Sequence, residues 1–288
     1  METQQLNLII STRSNPFFNL SLEKWALENL EVENTDFLLL YINEPCVVVG
    51  RNQNIFEEVD IAYCLKNNIQ ICRRISGGGT VFHDKGNLNW AFITKNDIKK
   101  VNNYTWAVKP LFSILKKIGL SAYLTQRNAI EINGYKISGQ AQFTNKKAII
   151  SHGTLLVNSH LEFMQKAIES PLELSIKSKA SKSVRSKVKN VSELLEKSNI
   201  TALELLEMFK EVGKIYPLNF NEIDSSVFQS EEWIYNRSPK FSLKYKMNNE
   251  DFILQVEKGK IVSILNKKGL PIIDSPYKNM NFLAFLTR

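Results

Sequence analysis

The sequence predicts an α/β fold in which strands and helices alternate, closed by a small C-terminal unit. Three observations predict it. Short apolar runs with period-two alternation recur along the chain, separated by segments whose apolar residues fall at helical spacing. The 288 residues are 43% apolar, enough to bury a full core as one large domain or one large and one small. Asn133-Gly134, set between alternating residues, is a strong hairpin signal.

The elements follow in order. Residues 6–10 form a first apolar strand. Asn15-Pro16 reads as a helix N-cap followed by proline at the first helical position. Phe18, Leu22, Trp25 and Ala26 then recur at helical spacing, which predicts an amphipathic helix over 16–31. Residues 37–42 and 46–49 read as strands joined by an Asn43-Glu44-Pro45 hairpin turn, and 60–67 as a short helix. Ile69 and Ile71 lead into a strand, a glycine-rich turn and a second strand. After Lys85-Gly86 comes a third, with Leu88, Trp90 and Phe92 alternating against Asn87, Asn89 and Ala91. Val108, Leu111, Leu115 and Ile118 give a helix face that ends at Gly119. Residues 127–141 form the Asn133-Gly134 hairpin, 149–157 a strand, and Leu161, Met164 and Ile168 a helix that begins at a surface residue, His160. Thr201-Ala202-Leu203-Glu204 is a capping box that opens a helix to about Val212. Near the end, 252–256 and 261–265 flank a hairpin turn, and 282–286 is a last helix.

The stretch most able to carry chemistry is Arg73-Arg74-Ile75-Ser76-Gly77-Gly78-Gly79-Thr80-Val81-Phe82-His83-Asp84. Consecutive glycines let a ligand approach the backbone closely, and two arginines at the entrance suit phosphate or carboxylate. The turn is either an anion-binding nest or a flexible hairpin with solvated arginines. It is neither a P-loop nor a dinucleotide fingerprint, because no Gly-Lys-Ser/Thr follows and the glycines are not spaced for one. Cys46, Cys64 and Cys72 are scattered among apolar neighbours, without metal-ligand spacing, and read as buried thiols. The formal charge of +8 admits nucleic acid, an anionic surface or an acidic protein as partner. Residues 177–189 concentrate that charge among serines with no acid, which predicts a solvated, mobile loop. No run of about 18 apolar residues exists. The segment Met1-Glu2-Thr3-Gln4-Gln5 reads as neither a secretory signal nor a transit peptide, so the cytoplasm is the expected location.

The string from Arg73 to Asp84 resembles the RRxSGGGxVxHD signature of the lipoate–protein ligase family. Further strings follow the family's order: VVxGRxQN at 47–54, NGxKISGxA at 133–141, text like HHGTLL at 151–156, and SVRSxVxN at 183–190. The resemblance covers about Asn15 to Phe241. It implies the biotin/lipoate ligase fold, with mixed sheets, helices outside and the ligand between. It further implies a catalytic domain over 1–238 and, over 239–288, a shortened version of the family's accessory domain.

The implied reaction activates lipoate with ATP to give lipoyl-AMP and pyrophosphate, then passes the lipoyl group to a lysine of a carrier. The carriers implied are the lipoyl domains of 2-oxoacid dehydrogenase E2 subunits or the glycine cleavage H protein. Lys136 is the implied catalytic residue, contacting the activated carboxylate and phosphate. The resemblance makes the whole string from Arg73 to Asp84 a lipoate-binding loop, with the amides of Gly77, Gly78 and Gly79 stabilising developing charge. Arg73 and Arg74 would hold phosphate or carboxylate oxygens, while His83 and Asp84 would shape the pocket wall or the nucleotide edge. Arg51, Ser76, Thr80, Phe82, Ser138, Gly139, His152 and Arg185 complete the expected lipoate and adenylate contacts, with Trp25, Val48 and Phe82 lining the lipoyl slot. The segment at 177–189 would close over the adenylate and exclude water. Relatives often carry Asn-Asp where this chain has Asn128-Ala129, so a magnesium site would fall to Asn128 and Glu131.

Other readings have distinct signatures. A sister octanoyltransferase needs a cysteine nucleophile, and none of the three cysteines follows Gly79. A lipoyltransferase would accept lipoyl-AMP without making it, which Ala129 and the short tail leave open. A biotin ligase would write its glycine/arginine loop differently. An RNA-binding module would interleave aromatics with its basic residues, and 177–189 contains none.

Overall fold

The computed structural model describes residues 5–172, 175–195, 199–247, 250–273 and 275–287. Residues 1–4 of the N-terminal segment read above lie outside the described residues. In chain order the elements are β1 (Gln5–Ile10), α1 (Pro16–Asn29), β2 (Thr35–Tyr41), β3 (Cys46–Val49), α2 (Ile55–Glu58), α3 (Ile61–Lys66), β4 (Gln70–Arg73), β5 (Val81–His83) and β6 (Asn87–Lys95). Next come α4 (Lys109–Lys117), β7 (Tyr123–Leu124), β8 (Ala129–Ile132), β9 (Tyr135–Thr144), β10 (Ala148–Leu156), α5 (Leu161–Ala167) and β11 (Ile176–Ser178). The chain continues through α6 (Ala202–Met208), β12 (Lys214–Ile215), α7 (Ser226–Gln229), α8 (Glu231–Ile234), β13 (Phe241–Met247), β14 (Glu250–Glu257), β15 (Lys260–Asn266) and α9 (Phe282–Leu286).

The strands form a large mixed sheet in the order β12-β1-β2-β6-β10-β9-β8-β7, a small sheet β4-β3-β5 and an antiparallel sheet β11-β13-β14-β15. Side-chain alternation explains why the central strands read as continuous apolar runs. On β2, Leu38 and Leu40 enter the core beneath α4 and α6, while Phe37, Leu39 and Tyr41 enter the opposite core with α1. β3 repeats this: Cys46 and Val48 face the α1 side, and Val47 and Val49 face a third core shared with α2, α9 and the C-terminal sheet. Burial on both faces requires apolar residues at both parities.

Several elements depart from expectation. β2 and β3 are not a hairpin, because β2 pairs with β1 and β6 while β3 pairs with β4 and β5. Asn43, buried between them, accepts from Asn19 Nδ2 at 2.7 Å, and its own Nδ2 lies 3.0 Å from His83 Nδ1. α1 has its expected cap, with Asn15 accepting from the Phe18 amide at 3.0 Å, but it ends at Asn29 and is not simply amphipathic. Its residues from Phe18 to Glu23 are all buried, because the helix packs between the large sheet and α7. The strand β13 was not anticipated, although Phe241, Leu243 and Tyr245 alternate with Ser242, Lys244 and Lys246. β11 pairs with β13, and Phe56, Phe241 and Phe282 share one core, so sheet and core both cross the chain between 238 and 239.

Residues 177–189, expected to be solvated and mobile, are pinned at several points. Lys177 pairs with Ser242 in the C-terminal sheet, and the Ser181 amide donates to Asn52 O at 3.4 Å. Val188 forms a parallel bridge with Lys136, and the amides of Lys136 and Lys189 donate to Lys187 O at 2.9 Å and Lys136 O at 3.2 Å. Composition could not show this, since the acceptors lie on other elements.

Candidate active site

The glycine loop is propped from within by the two arginines that precede it. Arg73 is fully buried; its Nε donates to Ile234 O at 2.9 Å and its Nη1 to Gly50 O at 2.9 Å and Gln53 O at 2.8 Å. Its Nη2 donates to Ser238 Oγ at 3.1 Å. Arg74 donates to Ser76 Oγ at 3.0 Å, Val48 O at 3.0 Å, Gly77 O at 2.6 Å and Gly79 O at 2.7 Å. Burial lowers both guanidinium pKa values to about 10, so each remains a cation at neutral pH. Nearly all their N–H groups are thus engaged with loop carbonyls and hydroxyls, and Arg73 lines neither of the two cavities beside the loop. The tight fold needs glycine at Gly50, where an added Cβ would stand 2.1 Å from Gly78 O, and at Gly78, whose φ is +86°.

Two cavities meet beside this loop. The larger, about 860 Å³, runs from the buried residues Glu23, Tyr41, Val48 and His152 to an exposed end with Arg127, Asn128, Glu131 and Lys136. The smaller, about 570 Å³, has apolar walls from Phe82, Leu161, Met164 and Ile168, with Glu57 and Glu58 at one side. Thr80, Gly139, Lys136 and Lys182 line both.

At the buried end, His152 Nδ1 lies 2.5 Å from Glu23 Oε2 and its Nε2 lies 2.6 Å from Ser76 Oγ. Tyr41 donates its hydroxyl to Glu23 Oε1 at 2.9 Å. Burial, and then Glu23, push the Tyr41 pKa well up, so the phenol stays a donor. Glu23 therefore ties α1 to β2 and, through His152, to the glycine loop.

At the junction, Lys136 is half-buried, and its Nζ stands 3.2 Å from where a Cβ on Gly139 would be. Glycine at 139 leaves the ammonium its place against the strand. Burial lowers the Lys136 pKa and the nearby Glu131 carboxylate opposes the shift. Ser138 is buried against the smaller cavity, and its Oγ has no protein partner. Over the junction lies the basic segment. Ser183 donates its hydroxyl to Glu58, and its Oγ accepts from the Thr80 amide at 2.9 Å and from Gln53 Nε2 at 3.1 Å. Its amide donates to Glu58 Oε1 at 3.1 Å, and Lys182 Nζ lies 3.3 Å from Glu57.

The expected site residues thus divide. Gly78, Gly79, His83, Asn128, Glu131 and His152 line the larger cavity, as does Arg74 through its loop-bound guanidinium. Phe82 and Arg185 line the smaller, Arg185 with an ion pair to Glu169 at 3.2 Å. Ser76, buried, and Gly77, half-buried, line neither cavity, and the Arg51 guanidinium lies over the Phe143 ring at 5.4 Å, outside both. Asp84 is also outside: it accepts from the Gly86 amide at 2.9 Å and the His160 amide at 2.8 Å, which fixes the turn before β6. Trp25, on α1, is half-buried against the core of that helix and lines neither cavity, whereas Val48 lines the larger. Cys46, Cys64 and Cys72 are buried free thiols outside both linings. Among the described residues, no group of three His, Cys, Asp or Glu could hold a metal ion. Glu23, Tyr41, Glu57, Glu58 and Arg127 were not anticipated. The available signal for Glu23 was a carboxylate three positions before Ala26 and four before Leu27, in helical register with apolar residues.

Known proteins resemble this chain in sequence and in fold. The lipoate-protein ligase LplJ of Bacillus subtilis is 38% identical over 266 residues, which are 86% of this chain and 80% of its own. Lipoate–protein ligase 1 of Staphylococcus aureus is 38% identical over 268 residues, again 86% and 80%. The bipartite lipoate protein ligase of Thermoplasma acidophilum superposes with a TM-score of 0.68 at 23% identity, covering 81% of this chain and 97% of that one. LipL1 of P. falciparum, solved in complex with lipoate, gives 0.63 at 23% identity, covering 90% and 83%. These two share the biotin/lipoate ligase type of fold with this chain. The sequence profile of the lipoyl protein ligase A/B catalytic domain matches residues 15–212, and with relatives this similar the chain belongs to that family.

Proposed function

We propose that this chain is an ATP-dependent lipoate–protein ligase that makes lipoyl-AMP and transfers the lipoyl group to a carrier lysine. The observation that carries the reading is Lys136, an ammonium with no protein partner among the described residues, at the junction of a slot with a buried end and an apolar-walled second cavity. In this reading the slot past Val48 and Ala141 takes the apolar lipoyl tail, and the smaller cavity beside Phe82 takes the nucleotide. Their reactive ends meet at Lys136. A lipoate carboxylate oxygen attacks the α-phosphorus of ATP, the bond to the β-phosphate oxygen breaks, and pyrophosphate leaves. Lys136 offsets the repulsion between carboxylate and phosphate and stabilises the charge that develops. The carrier amine then attacks the acyl carbon, the bond to the AMP oxygen breaks, and the nitrogen loses its proton. Residues 181–186 cover the junction and keep water from the mixed anhydride.

Magnesium fits as a companion of the nucleotide rather than as a protein-held ion, since Mg²⁺ is commonly bound by one or two carboxylates plus phosphates and water. Glu131, whose Oε2 also accepts from the Tyr123 hydroxyl at 3.0 Å, and Asn128 would hold it. When bound it supplies charge neutralisation to the leaving phosphates. We further propose that residues 1–238 form the catalytic unit and 239–288 a small accessory unit packed onto it. The carrier would be an E2 lipoyl domain or a glycine cleavage H protein, and the setting cytoplasmic. No helix among the described residues is long and apolar enough to cross a membrane.

Ala129 favours one second reading, a lipoyltransferase that only uses preformed lipoyl-AMP. Incubation with lipoate, ATP, magnesium and a lipoyl domain separates the two. A ligase releases pyrophosphate and adds one lipoyl mass to the carrier, while a transferase does neither until lipoyl-AMP is supplied.

A further inference from the structure

We propose that Arg127 binds the β- and γ-phosphates of the nucleotide and holds pyrophosphate as it leaves. This deepens the ligase reading and rests on it. The cations that line the larger cavity differ in what already neutralises or engages them. Arg74 is held by its own loop and Lys182 by Glu57. Lys136 and Arg127 are the two whose side chains make no hydrogen bond, close ion pair or ring contact among the described residues, although Glu131 lies near Lys136. Lys136 is half-buried at the junction, whereas Arg127 is exposed at the cavity's open end. A nucleotide whose α-phosphate lies at Lys136 would direct its remaining phosphates toward open space, and Arg127 is the uncommitted cation there.

The backbone holds Arg127 ready. It sits at the tip of a closed turn: the Thr125 amide donates to Ala129 O at 2.8 Å, the Asn128 amide to Thr125 O at 3.0 Å, and the Ala129 amide to Thr125 Oγ1 at 3.1 Å. Asn128, with φ +58°, turns the chain back into β8. The turn fixes where the side chain leaves the backbone, and the guanidinium offers a planar fork that matches phosphate oxygens. Adenylation breaks the bond between the α-phosphorus and the bridging oxygen, and most of the nucleotide's charge departs with pyrophosphate. A cation on those oxygens stabilises the leaving group, and it has no partner in lipoyl-AMP, which lacks them.

The test uses the full chain with Arg127→Met and Arg127→Lys. With lipoate and ATP, Arg127→Met is expected to slow pyrophosphate release by about 10- to 100-fold in kcat/KM for ATP, and Arg127→Lys to recover part of it. Transfer to a lipoyl domain from synthetic lipoyl-AMP should change by no more than about twofold. Calorimetry with inorganic pyrophosphate should show affinity reduced at least about tenfold in Arg127→Met, with lipoyl-AMP affinity retained. Equal slowing of both half-reactions, or unchanged pyrophosphate affinity, overturns the assignment. Failure of the ligase reading appears in the unaltered protein, as transfer from lipoyl-AMP without pyrophosphate release from ATP. Failure of the Arg127 assignment appears only in the variants.

Discussion

Lys136 is an ammonium held half out of water with no protein partner among the described residues, an arrangement that costs stability and is expected where a charge awaits a ligand. Its pKa lies below the ordinary 10.5 because burial disfavours the cation. The unfolded chain therefore binds that proton more tightly. The penalty is fully present below the folded pKa and is relieved as pH rises toward the unfolded value. Lys136→Met should then keep or raise the melting temperature at neutral pH while lowering adenylation more than about a hundredfold. Near-normal pyrophosphate release would remove Lys136 from the chemistry. In the unaltered protein, adenylation should decline on the alkaline side below the pH at which a free lysine titrates. Arg73 is the opposite case. Arg73→Met would orphan buried carbonyls of Gly50, Gln53 and Ile234 and cost roughly 3 kcal/mol or more. Denaturant melts should show the loss, and activity per folded molecule should fall less than for Lys136→Met. The sequence presents Arg73 beside Arg74, Lys136 and the glycines as if all met ligand. Only the fold shows that Arg73 faces inward, because its acceptors come from residues 50–53 and α8. Glu23 was illegible for a like reason: it acquires its role when α1 lands against His152 on β10.

At the scale of elements, the acidic helix α2 and the basic segment at 177–189 act as a latch. Glu57 holds Lys182 and accepts from the Ser178 hydroxyl, and Glu58 holds Ser183 by backbone and side chain. Both carboxylates are buried, so removing their partners alone would leave uncompensated buried charge. Replacing Glu57 and Glu58 together by alanine should release the segment. Limited proteolysis should cut the double variant within 177–189 at least about tenfold faster than the unaltered protein, while β1 to β10 stay resistant. Equal cleavage rates would mean that the backbone ties to Ser242, Asn52 and Lys136 set the segment without the carboxylates. The helix caps, the Asn133-Gly134 hairpin and the β14–β15 hairpin were legible because their signals are local and chemical. Partner choice was not. The Asn43-Glu44-Pro45 turn looks like a hairpin, yet β2 and β3 each have two other partners, and that is settled by non-local pairing. The latch lay beyond reach for the same reason, since its halves are more than a hundred residues apart in the chain.

For the whole molecule, charge is concentrated where a carrier must approach. Lys177, Lys179, Lys182, Arg185 and Lys187 are exposed, and the run from Lys182 to Arg185 lies over the junction that the carrier amine has to reach. In the proposed reaction two kinds of electrostatics would therefore act. Around Lys136 the charges are partly buried and only weakly screened, and there they would govern formation of lipoyl-AMP. On the outer face of the basic segment they are solvated and act through encounter with an acidic carrier, within a Debye length of about 10 Å at 0.1 M salt. Exposed complementary charge acts mainly on association rate. Raising salt from about 0.05 to 0.5 M should then slow transfer to a lipoyl domain at least about fivefold more than it slows pyrophosphate release. Reversing Lys179 and Lys187 to glutamate should reproduce the effect at low salt, raising the concentration of carrier needed and leaving adenylation within about twofold. Both lysines lie outside the cavity linings, so a fall in adenylation from these changes would show that the segment acts on the site directly. If salt slows the two half-reactions equally, the exposed charge does not select the carrier, and recognition must rest on other surfaces of the molecule.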